Sequence, residues 1–469
     1  MTARTFRLRR LAALGAALAC VAALLRITTA TGQNHTANPI YMPLVTFAQG
    51  SQLPGFPPSV FGMVLSSFTP ERGFDDALAA GASWLRSDNN LLWRDVEPIE
   101  GGGYNWNAPS VKLAEADMIA ASQRGRALLL IVRSSPRWAT APYRADCAPI
   151  NPAKYQRFAE FMAAAVARYS QPPYNVRFWQ IGNEPDAYIF TSDSGYGCWG
   201  VKSDPYYGGR AYGAMLKAVY PAIKSADPQA YVLHGSLLLD RPYNPANGSG
   251  ASARFLEGVF LAGAADAFDI LPFNAYWWSL DDPSTARDWK AQYLIDLQSA
   301  YNVPRKPMLI TETGLLCRST TPGCQQAQAY AVGRYYARAL RYGLIGDLWY
   351  IYDTDSFYHT ALVDPANVQS KRPAYAAYRH AAALLSGASY LGPLEGQPVG
   401  VEGYWLARPD GATIAVFWAA KAQPVSIAAT PGASVTCSAW DGAPLACANQ
   451  NGAVALSAQP GPSYMVVAK

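Results

Sequence analysis

Between Phe61 and about Leu385, short apolar runs alternate with longer stretches whose apolar residues recur every three or four positions. The short runs have the length and bulk of buried strands, and the longer stretches have the period of amphipathic helices. Eight runs read as strands: FGMVL (61–65), SWLRSD (83–88), ALLLIV (127–132), VRFWQIGN (176–183), YVLHGSLL (231–238), FDILPFNAYW (268–277), PMLITET (307–313) and GDLWYIYD (346–353). Among the helical stretches, Asn151-Pro152 reads as an N-cap and first turn. It leads into Tyr155, Phe158, Phe161, Met162, Ala165, Val166 and Tyr169 on one face. Val332, Tyr335, Tyr336, Ala339 and Leu340 form a similar stripe. Eight strand–helix repeats predict an α/β chain with a (β/α)8 TIM barrel over residues 58–385, with any site built at the C-terminal ends of the strands.

After the stretch AYAAYRHAAALL (374–385) the period shortens. GYWLAR (403–408) and TIAVFW (413–418) alternate across a Pro-Asp-Gly turn, and CSAWDGAPLAC (437–447) reads as a hairpin around Asp441-Gly442. Residues 386–469 are therefore expected to form a small antiparallel β-sandwich. Trp405, Trp418 and Trp440 read as its core.

At the other end, residues 1–30 carry a basic start, an apolar run of 15 residues (11–25) and small residues near Ala30. That run is shorter than the roughly 20 residues needed to span a bilayer. The segment reads as an export signal, followed by a linker and possible first strand over 31–57. A secreted protein with no membrane partner after signal removal is expected. Of the seven cysteines, six remain once Cys20 is set aside, an even number suited to an oxidising compartment. Proximity pairs Cys317 with Cys324 and Cys437 with Cys447, leaving Cys147 for Cys198, among many possible connectivities. Without a Cys-x-x-Cys pair, and with only four scattered histidines, no metal site is expected. The net charge of +5 is spread along the chain. It gives no footprint for nucleic acid and points to a neutral partner.

Two acidic residues interrupt this apolar pattern. Glu184 follows strand four in RFWQIGNEPD, and Glu312 lies at the end of strand seven in LITETG. A glutamate in an apolar strand is costly unless it is paired or protonated. Arg86 or Arg177 would serve in purely structural ion pairs, but a pair of carboxylates on strands four and seven of one barrel favours chemistry. Pro185 is expected to hold Glu184 extended and to turn the chain away from the sheet.

Asn183-Glu184-Pro185 after one strand and Thr311-Glu312-Thr313-Gly314 after another resemble the catalytic carboxylates of clan A glycoside hydrolases, with family 39 or family 5 and their neighbours the nearest in pattern. The resemblance spans roughly residues 58–385. It implies a retaining glycosidase acting on β-linked carbohydrate without a cofactor, with Glu184 as acid/base and Glu312 as nucleophile. Asn183 would then bind the substrate 2-hydroxyl. The two carboxyl groups would lie about 5 to 5.5 Å apart. Arg86 matches the arginine that such enzymes set beside the nucleophile, Tyr276 is placed to hydrogen-bond Glu312, and Trp349 would be the platform under the cleaved sugar. Asn274 stands where several clan families carry histidine. Trp138, like Trp93, Trp277 and Trp278, lies at the same rim and suits either sugar stacking or core packing, while Tyr358 and His359 fall in a loop that reads as solvated. A transglycosylase would share these residues. A non-catalytic carbohydrate-binding protein on a degenerate barrel is the alternative from another class.

Overall fold

A computed structural model describes residues 55–140, 142–143, 145–188, 198–280 and 286–468; the signal-like segment and nearly all of the expected linker lie outside them. Eight parallel strands form the barrel: β1 Phe61–Leu65, β2 Trp84–Ser87, β3 Ala127–Arg133, β4 Phe178–Ile181, β5 Tyr231–Leu233, β6 Leu271–Trp277, β7 Met308–Leu315 and β8 Gly346–Trp349. They alternate with helices α1 Phe74–Ala79, α2 Pro109–Gln123, α3 Tyr155–Tyr169, α4 Gly209–Ala226, α5 Phe255–Leu261, α6 Ala286–Ala300, α7 Pro322–Arg341 and α8 Pro373–Leu385. Asn151 caps the turn leading into α3, its side chain accepting from the Ala153 N–H at 3.0 Å.

The sheet runs from β5 through β4, β3, β2, β1, β8 and β7 to β6. Single bridges between Leu233 and Ile270 and between Leu237 and Phe273 close the remaining gap. Alternation along each strand divides the apolar side chains into two layers. Val64, Trp84, Leu129, Phe178, Leu233, Ile270, Leu309 and Leu348 pack in one cluster that fills the barrel. Phe61, Met63, Leu130, Val132, Trp179, Phe273, Ile310 and Trp349 pack in another, facing the helices. Both faces are dry, which is why these strands read as continuous apolar runs.

Strands four, five and eight are shorter than their sequence patterns suggest, because the chain bends at the rim. Gly182 has φ 77°, and Leu239 has φ 46°. The ends of these runs become site loops instead of ladder.

Beyond α8 the chain forms a six-stranded antiparallel sheet and a three-stranded one. The first includes β9 Ser389–Pro393, β10 Val401–Ala407 and β11 Thr413–Ala419, with β10 and β11 paired in the expected hairpin. Val435–Ser438 pairs with Pro444–Leu445 around Asp441-Gly442. Trp418 is buried, with the guanidiniums of Arg334 and Arg338 from α7 over its ring. Arg338 binds both oxygens of Glu402 on β10, at 2.7 and 2.6 Å, and Arg334 donates to the Pro460 carbonyl at 2.6 Å. One face of the sandwich sheet thus packs into the outer barrel layer, while its other face encloses a core of its own. Disulfides join Cys147 to Cys198, Cys317 to Cys324 and Cys437 to Cys447.

Replacing Arg338 with Ala should strip this junction of its ion pair and leave the half-buried Glu402 with the Tyr404 hydroxyl as its hydrogen-bond partner. A loss of about 3 kcal/mol is expected, since breaking a buried pair is costlier than never having made it. Urea denaturation of the full chain, followed by tryptophan fluorescence, measures it.

Candidate active site

The C-terminal mouth of the barrel gathers the polar residues that the strands keep out of its interior. Glu184 lies just beyond β4, and its N–H donates to the Ser236 carbonyl at 2.8 Å, tying the chain to the loop after β5. It is not extended, as Pro185 would favour. Its φ is 49°, a left-handed conformation costing a non-glycine residue about 1 kcal/mol or more. The Ala187 N–H closes a turn on the Glu184 carbonyl at 2.9 Å. Tight reversal at the strand end has overridden the pre-proline preference.

Glu312 reaches the same space by a different irregularity. On β7, Ile310 pairs with Phe273 and Glu312 pairs with Asn274, so Thr311 is an extra residue without a partner on β6. This bulge lets Thr311 and Glu312 both turn inward, where strict alternation would send Glu312 outward. Thr311 meets Asn274 at 2.8 Å, while Glu312 accepts from Arg86 at 2.6 Å and from the Tyr276 hydroxyl at 2.5 Å.

Arg86 on β2 also donates to the Thr311 carbonyl at 3.2 Å and to Asn183 Oδ1 at 3.4 Å. Burial alone would lower its pKa; the ion pair with Glu312 outweighs that and raises it. Among the described residues Glu184 receives a single neutral side-chain donor, Asn274 Nδ2 at 2.8 Å. The orientation of that amide is set by Ser236 and Thr311, whose hydroxyls both donate to Asn274 Oδ1 at 2.7 and 2.8 Å. Burial first, and then the charge of Glu312, push the Glu184 carboxyl up to about 8. The two glutamates are 4% and 7% exposed, so neither is screened by much water.

Behind them lies a pair that the sequence reading did not single out. Lys290 of α6 is buried and donates to the carbonyls of Leu238 and Asn274, at 2.7 and 2.8 Å. Asp186 accepts the N–H groups of Leu238 and Leu239, each at 2.8 Å. Burial brings Lys290 down to about 8, opposed by Asp186 and Glu184. Burial likewise lifts Asp186 to about 6, opposed by those two amides and by Lys290. The signal available in the sequence was Asp186 itself, two positions after Glu184; Lys290 sits in an ordinary helical pattern.

The structure thus brings Glu184, Glu312, Arg86, Asn183, Tyr276 and Asn274 together. It does not bring Trp349 to them. Trp349 is fully buried, its indole donating to the Thr360 carbonyl at 2.8 Å and packing near Tyr335 of α7. Since Leu348 faces the barrel interior, alternation turns Trp349 outward and Tyr350 inward. Tyr350 packs against the interior cluster, edge-on to Tyr276 at 6.1 Å. Of the two roles open to Trp138, the structure gives core packing: its indole donates to the Glu97 carbonyl at 3.2 Å and its ring lies edge-on to Trp93, in the helical layer. Trp93 and His234 are buried core residues. Among the described residues no cluster of His, Cys, Asp and Glu is arranged to hold a metal ion, and no helix is long and apolar enough to cross a membrane.

No family model matches the sequence, and no curated protein matches it. Solved structures do match its fold. A family 39 glycoside hydrolase from the gut symbiont Bacteroides cellulosilyticus WH2 superposes with a TM-score of 0.66 at 20% identity, over 88% of this chain and 81% of that one. The catalytic domain of GH30 xylanase C from Talaromyces cellulolyticus gives 0.58 at 14% identity, over 88% and 98%. AbfB, a family 51 α-L-arabinofuranosidase from Bifidobacterium longum, gives 0.54 at 13%, over 88% and 96%. These likenesses establish the shared barrel-and-sandwich architecture.

Two outcomes follow from the electrostatics alone. Asn274→Ala removes the donor that favours the ionised form of Glu184, so its carboxyl should titrate still higher, as read by carbon-13 NMR of labelled glutamate. A carboxyl that titrates near 8 when folded, against 4.5 as its ordinary value, binds a proton more tightly folded than unfolded. Its contribution to stability is therefore full below about pH 4.5 and is lost as pH rises through about 8. Glu184→Gln should flatten that part of the Tm-versus-pH curve and make the chain the more stable of the two at pH 9.

Proposed function

We propose that the chain is a secreted retaining glycoside hydrolase that cleaves β-glycosidic bonds by double displacement, with a neutral sugar at the point of cleavage. The observation that carries this reading is the unequal treatment of two neighbouring carboxyls. Glu312 holds an arginine and a tyrosine hydroxyl, and Glu184 is kept protonated near neutral pH. That is the division of labour a retaining glycosidase needs. The glycoside hydrolases among the structural neighbours support it. The signal-like N-terminus and three disulfides support export.

In the first step a Glu312 oxygen attacks the anomeric carbon while Glu184 gives its proton to the departing glycosidic oxygen. Arg86 and Tyr276 hold the nucleophile in place, and Asn183 would bind the 2-hydroxyl as the ring flattens toward an oxocarbenium ion. Forming the glycosyl ester removes the Glu312 charge. Burial then remains the main force raising Glu184, whose proton has already left. As a carboxylate it takes a proton from water, and that water displaces Glu312 with a second inversion. Arg86 is already committed to Glu312, which leaves it unavailable for an anionic ring at the cleaved position. Tyr350, on the inward face after β8, takes the platform position expected of Trp349.

Glu312→Gln should abolish turnover of aryl β-glycosides. Glu184→Gln should slow ordinary substrates by roughly 10²–10⁴-fold while sparing glycosylation by substrates with very acidic leaving groups. For the unmodified enzyme, kcat/KM should fall as pH rises through about 8, where Glu184 loses its proton. Proton NMR of the first-formed sugar should show the β-anomer; the α-anomer would sink the double displacement, and binding without release would favour a carbohydrate-binding protein.

A further inference from the structure

A second pocket opens on the same rim, formed by three loops. Trp278 follows β6, Cys317 and Arg318 follow β7, and Ser356, Phe357, Tyr358 and His359 follow β8. Its volume is about 560 Å³, enough for a sugar ring with its first water shell. Trp278 and Tyr358 are 50% and 48% exposed, unusual for large aromatics in a chain that buries most of its rings. They meet edge-on at 4.8 Å, so they present two apolar walls at an angle.

The pocket joins the carboxylate site through rings. Phe357 lies 4.7 Å from Tyr276, whose hydroxyl donates to Glu312, and 4.9 Å from Tyr358.

Its polar side is cationic. Arg318 is exposed and lies 5.1 Å over the Trp278 ring. A guanidinium held by a ring face keeps its in-plane N–H groups directed outward. No acidic residue among the described residues lines the pocket. Asp355, beside the pocket, is 3.5 Å from His359 and is gripped by both nitrogens of Arg372 at 2.8 and 2.6 Å. The charge of Asp355 is therefore spent on Arg372.

The loop that carries the pocket is also built to a fixed shape. Tyr358 and His359 are consecutive non-glycine residues at φ 46° and 53°. The Cys317 N–H holds the Tyr358 carbonyl at 2.9 Å, and Gln328 of α7 holds the His359 carbonyl at 2.9 Å. Cys317 is itself tied by its disulfide to Cys324 at the start of α7. Strained backbone held from two sides is characteristic of ligand clamps.

From these observations we infer that the pocket formed by Trp278, Arg318, Tyr358 and His359 is a subsite for a uronic acid residue linked to the cleaved sugar, its ring against the aromatics and its carboxylate on the Arg318 fork. This deepens the glycosidase reading and rests on it. The cleaved sugar stays neutral, and the acidic group is recognised one subsite away. A planar carboxylate meets a guanidinium fork in two parallel hydrogen bonds.

Titration calorimetry of the full chain with a glucuronyl-glucose disaccharide, its neutral glucosyl-glucose counterpart and the 6-sulfated form of that counterpart tests the assignment. The acidic disaccharide should bind about tenfold more tightly than the neutral one, and raising the salt should erode that margin. Arg318→Gln, a change at an exposed side chain, should remove the margin. It should leave the neutral disaccharide's affinity and the hydrolysis of a simple aryl glycoside unchanged. Trp278→Ala should weaken both disaccharides together. Equal affinity for acidic and neutral forms, or an Arg318→Gln variant indistinguishable from the parent, would overturn the subsite; preference for the sulfated form would overturn the carboxylate assignment. An unmodified chain that binds the acidic disaccharide through Arg318 but releases no aryl group would instead count against the glycosidase reading and leave the acidic site standing.

Discussion

Two carboxyl groups share a nearly dry space at the mouth of this barrel, and one guanidinium binds just one of them. Arg86 is taken by Glu312, while Glu184 has an amide for a partner. In so little water two carboxylates cannot both ionise cheaply, so the pair divides its protons unequally. The strand that carries the arginine decides which one ionises. Arg86 is on β2, and its side chain crosses the barrel mouth to β7, where it meets both the Thr311 carbonyl and the Glu312 carboxylate. The buried Asp186–Lys290 pair then braces the loop after β5, which in turn receives the Glu184 amide. The protonation of Glu184 is thus a property of the whole rim.

Regular barrel geometry would not produce this arrangement. Strict alternation along β7 places only one of Thr311 and Glu312 inside, yet the first is needed to orient Asn274 and the second to receive Arg86. The bulge admits both. On β4 the chain must leave the ladder and still return a side chain to the axis, and Glu184 adopts a left-handed backbone to do so. Each irregularity is local and costs little beside the core around it, in which a layer of apolar side chains, one from each strand or its flank, fills the barrel. The interior plug below the site makes such strain tolerable above it.

What could be read from the sequence follows the same division. The strands and helices were legible because burial on both faces writes itself as apolar runs and stripes. Glu184 and Glu312 stood out because charge is conspicuous in such runs. The fine aim of side chains was not legible. Trp349 and Tyr350 differ by one position, and which of them faces the barrel depends on the register of β8 against its neighbours. Bulges and left-handed residues leave little mark in composition, and Pro185 pointed the wrong way for Glu184. Lys290 was invisible for another reason: an amphipathic helix with a lysine on it looks like any solvated helix until its packing places that lysine under the site. The cysteine pairs were readable by proximity, since two of them close short loops.

The loops that crown the barrel are held separately from the chemistry. Cys317–Cys324 anchors the loop after β7 to α7, and Cys147–Cys198 ties the segment after β3 to the one after β4. On its far side α7 is locked to the sandwich through Arg334 and Arg338. One helix therefore connects the rim pocket, the outer barrel layer and the C-terminal sheet. The sandwich stabilises the scaffold from which the loops after β7 and β8 are suspended, and its buried Trp418 serves that junction. With the scaffold held from outside, residues in the rim loops are free to vary in what they recognise without disturbing the proton balance beneath them.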